Sequence, residues 1–206
     1  MHRLFRLTIG GIALALAACA SSPPTLVALP SALPSAPPSK TTSGEHQAPD
    51  AATTVRLRRV HVPDYLDGLP VVTGRDGHVL VVADRTDWAE RPSQGISRVL
   101  RDALAQRLGS SRVLIAGDGR RADADLSVEL LALDPARDAL TLDARWSLAC
   151  RASGQSHGGR TAVRVEMSAA TPQVVAGATS EALSQLADAV VAELRCDVDP
   201  DARATH

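Results

Sequence analysis

The segment LTLDARWSL at positions 140–148 decides the fold class, because apolar and polar residues alternate along its whole length. Successive side chains of a β-strand point to opposite faces, so this strand has one apolar face and one polar face. The same alternation recurs at 126–130 and at 163–167, with turn-forming sequences at 134–138 and 154–159. A sheet with one solvated face is typically antiparallel, so the sequence predicts a meander of three strands.

Two amphipathic helices and four shorter strands are predicted around this meander. In the first helix, apolar residues recur at helical spacing along 96–108, and Gly109 stands where a glycine commonly ends a helix. In the second helix, the apolar stripe runs along 183–194, and Thr179 or Ser180 is the predicted N-cap. The remaining strand signals lie at 55–62, 71–73, 78–82 and 112–115.

These elements predict a single α/β domain over residues 54–198, with a flexible tail at 199–206. Its architecture is a mixed, largely antiparallel sheet with two main helices packed on it. Aromatic residues make up 2% of the 206 residues, whereas the wider hydrophobic class makes up 45% and the net charge is −1. Proteins that stack nucleic-acid bases need aromatic platforms in a positive groove, so nucleic acid is not an expected partner.

The N-terminus predicts export and lipidation. Arg3 and Arg6 precede an apolar run at 7–18, which is too short to span a bilayer but suits the core of a signal peptide, predicted over residues 1–18. The run ends in LAAC at 16–19, which resembles the bacterial lipobox, and this resemblance implies acyl chains on Cys19. Resemblance to sorted lipoproteins, with Ala rather than Asp after the cysteine, implies the periplasmic leaflet of the outer membrane. The alternative is an ordinary secretory signal with an incidental cysteine.

The segment that follows has a different composition from the domain. Seven of the thirteen prolines lie between positions 23 and 50, among Ser, Ala and Thr. Such a sequence favours extended, semi-rigid chain, so residues 19–53 are predicted to form a lipidated stalk. Residues 25–29 are the exception, because their sequence TLVAL is apolar enough for a short strand that returns to the domain.

Two cysteines remain once Cys19 is lipidated. Cys150 ends a predicted strand and Cys196 ends the last predicted helix. An even pair in an oxidising compartment favours a disulfide between them, with two free thiols as the alternative.

The sequence carries one formal catalytic motif, G-x-S-x-G at 154–158, centred on Ser156. A nucleophile elbow needs a strand before the serine and a helix after it, whereas this motif lies between two alternating segments. We therefore expect a hairpin turn and no catalytic residue, with a serine hydrolase as a weak alternative. The six histidines show no metal-ligand spacing, so neither a metal nor another cofactor is expected.

Three motifs in order along the chain carry a resemblance to a known family. VHVPDYLD at 60–67, DWAERP at 87–92 and RVL at 98–100 resemble the signatures of the ABC-type transport auxiliary lipoproteins, the PqiC-like family. The resemblance implies a non-enzymatic adaptor of a lipid transport system that supports envelope integrity. It implies an MCE-domain protein, a permease and an ATPase as partners, and it allows a homo-oligomer.

Two aromatic residues within these motifs are candidate partner contacts. Tyr65 and Trp88 flank the predicted hairpin, and exposed aromatic residues are enriched at protein interfaces. The alternative is that both fill the core. A second function also stays open, that of a lipid-binding or envelope-assembly lipoprotein that holds a ligand in its own pocket.

Overall fold

The computed structural model describes residues 23–31, 53–115 and 117–196. The predicted signal peptide (1–18), Cys19, most of the Pro-rich segment and the tail at 199–206 lie outside the described residues. In chain order the elements are β1 (Thr25–Val27), β2 (Val55–Leu57), a 3₁₀ turn (Asp64–Leu66), β3 (Pro70–Asp76), β4 (Val79–Trp88), α1 (Pro92–Leu108), a 3₁₀ turn (Ser110–Arg112), β5 (Val113–Leu114), β6 (Ala124–Pro135), β7 (Ala139–Cys150), β8 (Ser156–Glu166) and α2 (Pro172–Ala192).

The larger sheet has five strands in the order β5-β2-β6-β7-β8 and contains the predicted meander. β6, β7 and β8 pair antiparallel, and their alternating residues place Leu142 and Leu148 inside while Thr141 and Ser147 face solvent. β2 pairs parallel with both β5 and β6. The structure therefore confirms the α/β class and the mixed sheet, with two main helices packed on it.

The predicted hairpin forms a second, smaller sheet instead of joining the first. This sheet has the order β1-β4-β3, in which β3 and β4 are antiparallel and β1 is parallel to β4. Register shifts in β3 and a positive φ of 44° at Arg85 in β4 bend the hairpin. Such irregularities interrupt regular pairing, which is consistent with two sheets where the sequence suggested one.

The two helices cover the inner face of the larger sheet. α1 ends at Leu108 before Gly109, whose φ of 95° fits the predicted glycine stop. The N-cap prediction for α2 is wrong, because the helix begins at Pro172 and its N-cap is Thr171, eight residues before Thr179. Proline suits the first position of a helix, where its missing N–H has no intrahelical partner to lose. Within the described residues no helix is both long and apolar enough to cross a bilayer.

Aliphatic side chains fill the space between the sheets and the helices. Leu100 and Leu104 of α1 and Leu183 and Leu186 of α2 are almost completely buried. Trp146 on β7 is also buried, with its indole N–H donating to the Thr161 hydroxyl on β8 at 3.2 Å. The core is therefore aliphatic, as the composition predicts.

Candidate interaction surfaces

The chain segment around β1 is part of the folded domain and is held there by side-chain burial and hydrogen bonds. Val27 and Leu29 are buried, and the Val27 carbonyl accepts a hydrogen bond from the Ala89 N–H at 2.8 Å. The guanidinium of Arg98 on α1 donates to the Leu29 carbonyl at 2.9 Å. The Ser180 hydroxyl on α2 donates to the carbonyl of the next residue, Pro30, also at 2.9 Å. Both helices therefore bind the backbone that follows β1, a segment whose composition suggested a stalk.

Three exposed valines form an apolar surface on β4. Val79, Val81 and Val82 are 68%, 45% and 51% exposed, and we call them the hairpin patch. Val81 and Val82 are adjacent in the strand, so their side chains point to opposite faces of the hairpin. Since both are exposed, the outer part of the hairpin projects from the domain into solvent.

Tyr65 lies beside this hairpin and is the exposed one of the two aromatic residues predicted as partner contacts. Its side chain is 42% exposed, and the Arg75 guanidinium lies over its ring, 5.7 Å from the centroid. Arg75 also pairs with Asp134 at the end of β6, at 3.1 Å. Partial burial, and secondarily the Asp134 charge, raise the pKa of the Tyr65 phenol, while Arg75 opposes them. The phenol is therefore neutral at physiological pH and available as an uncharged contact.

Trp88 occupies a different environment. It is 9% exposed and belongs to the hydrophobic core, where its ring lines a crevice between β4, α1 and the end of β6. The free volume of this crevice is about 20 Å³, which is room for about one water molecule. The structure therefore does not bring the two aromatic residues together on one surface.

A groove lined by arginines lies between the end of β2 and the first half of α1. Its arginines are Arg58, Arg59, Arg98 and Arg101, and its volume is about 390 Å³. Ser93 and Ser97 of α1 and the apolar side chains Leu57 and Ile115 complete most of its lining, which contains no acidic residue among those described. We call it the arginine groove.

The four arginines differ in how their charge is balanced. Arg98 contacts Glu90 at 2.5 Å and Arg101 contacts Asp102 at 2.6 Å, whereas Arg58 lies 3.4 Å from Asp125. Arg59 is exposed and makes no ion pair or hydrogen bond with the part of the chain that the structure describes. The groove can therefore attract an anionic group, with Arg59 as its uncompensated charge.

The arginine groove is only partly indicated by the sequence. Arg98 and Arg101 are three residues apart and lie on one face of α1, which the helical spacing does indicate. Their approach to Arg58 and Arg59 depends on how α1 packs against β2, and no local pattern gives that.

The two remaining cysteines meet at the opposite end of the domain from the hairpin. Cys150 at the end of β7 and Cys196 after α2 are placed as a disulfide, with their Cα atoms 5.6 Å apart. This pairing would hold the chain end that follows α2 against the sheet.

The G-x-S-x-G motif lies at the turn into β8 and not at a strand-to-helix elbow. Ser156 is the first residue of β8 and pairs with Ala149, and the His157 ring nitrogen Nε2 lies 3.1 Å from the Glu193 carbonyl. A Cβ atom on Gly158 would collide with the backbone carbonyl of Trp146. The glycine therefore has a packing role, because it lets β8 approach β7. Within the described residues there is also no cluster of three potential metal-ligating side chains.

Comparison with known proteins finds the same fold in solved structures of low sequence identity. An uncharacterised protein of known crystal structure is similar with a TM-score of 0.64 and 17% identity, covering 84% of this chain and 100% of its own. A protein from Xanthomonas campestris is similar with a TM-score of 0.60 and 14% identity, over 82% of this chain and 93% of its own. No curated protein matches the sequence significantly. The family model of the ABC-type transport auxiliary lipoprotein component matches residues 32–191.

Proposed function

Since this chain belongs to the ABC-type transport auxiliary lipoprotein family, we propose that it is a non-catalytic adaptor of an MCE/ABC-type lipid transport system. In this proposal it is anchored by Cys19 in the periplasmic leaflet of the outer membrane and contributes to envelope integrity. The observation that carries the proposal is the family match over residues 32–191. The lipobox-like sequence LAAC at 16–19 supports the anchor.

An adaptor needs a rigid body and an exposed contact residue. Tyr65 meets the second requirement, because its ring is partly exposed and is oriented by Arg75 and the 3₁₀ turn. Tyrosine is enriched at binding hot spots, where a large rigid side chain contributes contact area at low entropic cost. We propose Tyr65 as a contact for the MCE-domain protein. Trp88 is buried and packs behind the hairpin, so we do not propose it as a direct contact.

Capture of the partner tests this proposal. The lipidated protein, tagged at its C-terminus and crosslinked in cells, is expected to retain the MCE-domain protein together with its permease and ATPase. Tyr65→Ala is expected to lower the captured amount about fivefold or more, as for a contact of about 1 kcal/mol. Ser153→Ala, in the exposed turn between β7 and β8, is the matched control and is expected to capture as much as the wild type.

The outcomes separate the function from the contact. Failure of the wild type to capture any MCE-domain protein contradicts the adaptor function. Normal capture by a folded Tyr65→Ala protein contradicts only the assignment of this residue. Cys19→Ser is expected to move the protein from the outer-membrane fraction to the soluble periplasmic fraction, which tests the anchor.

A second candidate function is lipid binding by the domain itself, and the arginine groove is the observation that favours it. Its volume of about 390 Å³ falls in the range of small-molecule sites, and arginines pair well with phosphate groups. The crevice beside Trp88 has only about 20 Å³ and is too small for an acyl chain. Native mass spectrometry of the Cys19→Ser protein distinguishes the candidates: bound phospholipid that is lost in Arg59→Ala supports lipid binding, and a ligand-free wild type contradicts it.

A further inference from the structure

The position of β1 limits how far the domain can lie from the membrane. Six peptide units separate Cys19 from Thr25, the first residue of β1. A fully extended chain spans at most about 3.3–3.6 Å per residue, so this tether reaches at most about 20 Å. Beyond Thr25 the chain is held by the domain through Val27 and Leu29. Whatever conformation the tether adopts, the start of β1 therefore stays within about 20 Å of the lipid anchor.

The direction of β1 shows which part of the domain points toward the anchor. β1 is parallel to β4, with Thr25 paired to Thr86 and Val27 paired to Trp88. The chain before Thr25 therefore leaves the sheet on the side of the earlier residues of β4, which lead to the hairpin turn at Gly77. Seven residues separate Thr86 from Val79, a distance of about 23 Å along a strand. This distance is an upper limit, because the hairpin bends at Arg85, but the outer part of the hairpin lies on the side of β1 from which the tether comes.

The side chains at this end suit the interface of a membrane. The hairpin patch (Val79, Val81 and Val82) is exposed on both faces of the projecting strand, and Tyr65 lies beside it. Tyrosine and aliphatic side chains are favoured at the boundary between headgroups and acyl chains. The hairpin from Pro70 to Trp88 carries two arginines and three aspartates, so it has no basic surplus that would require anionic lipids.

We propose that the β3–β4 hairpin rests on the same lipid leaflet that holds Cys19, with Val79 and Val81, which share one face of β4, in contact with lipid. This inference rests on the proposed lipidation of Cys19. The domain would then have two attachments to the membrane, the acyl chains and the hairpin, and its orientation on the surface would be fixed. The Pro-rich residues 32–52 connect β1 to β2, both of which belong to the domain, so their length does not set its distance from the membrane.

Fluorescence of a probe on the hairpin tests the proposal in the full mature chain. Lipidated Val81→Cys protein is labelled with the environment-sensitive dye NBD and reconstituted in phosphatidylethanolamine and phosphatidylglycerol vesicles. Cys19 is then blocked by its lipid and Cys150 and Cys196 are paired, so the new thiol is the one labelled. Val79→Cys provides a second position, and Ser153→Cys in the turn between β7 and β8 provides the matched control.

A hairpin on the leaflet gives a distinct pattern of quenching. Lipids that carry a nitroxide group near the headgroup are expected to quench the probes at positions 79 and 81 about twofold or more relative to position 153. Water-soluble iodide is expected to quench position 153 most strongly. Lowering the phosphatidylglycerol content is expected to leave the lipid quenching unchanged, because the hairpin lacks a basic surplus.

Three results would overturn the proposal or its premise, and they are distinguishable. Failure of the protein to float with vesicles contradicts the lipid anchor and with it the proposed function. Flotation with equal iodide quenching at positions 79, 81 and 153 leaves the anchor in place and contradicts the hairpin contact. Probes at 79 and 81 that are shielded from both iodide and the nitroxide lipids show that the patch contacts a second copy of the protein, and this result also contradicts the proposal.

Discussion

Removal of the bridge between Cys150 and Cys196 is expected to lower the stability of the domain substantially. Both side chains are buried, and the two positions are 46 residues apart in the sequence. The bridge closes a loop that contains β8 and the whole of α2. Without the bridge, the chain after α2 is no longer attached to the end of β7. The unfolded chain also gains conformational entropy, because the loop is no longer closed.

The size of the effect follows from the length of the loop. For a closed loop of about 47 residues, the chain-entropy relation gives a stabilisation of about 4 kcal/mol at 25 °C. With an unfolding entropy of about 2.1 cal/mol/K per residue, about 150 ordered residues give about 0.3 kcal/mol/K. The loss of the bridge is therefore expected to lower Tm by about 13 °C.

Thermal unfolding of the mature chain with Cys19→Ser measures this difference. The Tm of the protein with both cysteines is measured with and without reductant. The Cys150→Ser/Cys196→Ser double variant is the control, because reductant is not expected to change its Tm. Two titratable thiols in the native, unreduced protein would show that the bridge does not form. An unchanged Tm after proven reduction would refute this reasoning, because closing the loop would then not lower the conformational entropy of the unfolded chain.

Three further changes test the packing and the electrostatics. Gly158→Ala is expected to destabilise the domain by about 1–3 kcal/mol in chemical denaturation, because the new methyl group meets the backbone of β7; Gly119→Ala, with no neighbour within 4 Å, is the control expected to change nothing. Ser180→Ala is expected to cost about 1 kcal/mol and to speed hydrogen exchange in the amides paired with β1, since a hydrogen bond to the backbone after that strand is lost. Its stability would equal the wild type if that bond were unimportant. The Arg120 guanidinium lowers the pKa of Asp118 to about 2. The ionised carboxylate therefore stabilises the fold above about pH 4, and this contribution is lost as the pH falls toward 2. Asp118→Asn is expected to make the free energy of unfolding less pH-dependent between these values, and an unchanged pH dependence would contradict the pairing.

The parts of the fold that the sequence predicts are those encoded by local periodicity. The alternation along 140–148 depends only on the geometry of a strand, so it predicts which residues of β7 are buried without knowledge of the partner strands. The predicted start of α2 is wrong because it depends on contacts outside the local sequence. Thr179 and Ser180 resemble an N-cap in isolation, but both are buried within the helix, where the Thr179 hydroxyl donates to the Val175 carbonyl at 2.8 Å. Their polarity is satisfied by bonds that only the folded structure reveals.

The different exposure of the two motif aromatics could not be predicted from the sequence. Tyr65 and Trp88 have similar positions in the family-like motifs, and nothing in their immediate neighbours distinguishes them. The difference arises because Trp88 ends β4, where it pairs with Val27, 61 residues earlier in the sequence, and its ring packs in the crevice lined by α1 and the end of β6. Tyr65 lies on a 3₁₀ turn beside the hairpin, where the Arg75 guanidinium lies over its ring. The exposure of these two residues is therefore set by long-range pairing and packing, which periodicity does not encode.

The same pairing changes what the Pro-rich segment means for the position of the domain. Its composition indicates that it has little apolar surface to bury, but composition carries no information about where the ends of a segment are held. Once β1 is part of the smaller sheet, Ser31 and Thr53 both adjoin the folded domain, and the segment between them leaves and re-enters the same body. The distance to a lipid on Cys19 then depends on the few residues before Thr25 and not on the number of prolines after it. In the proposed arrangement, a tether this short keeps the β3–β4 hairpin near the leaflet, however many prolines follow β1.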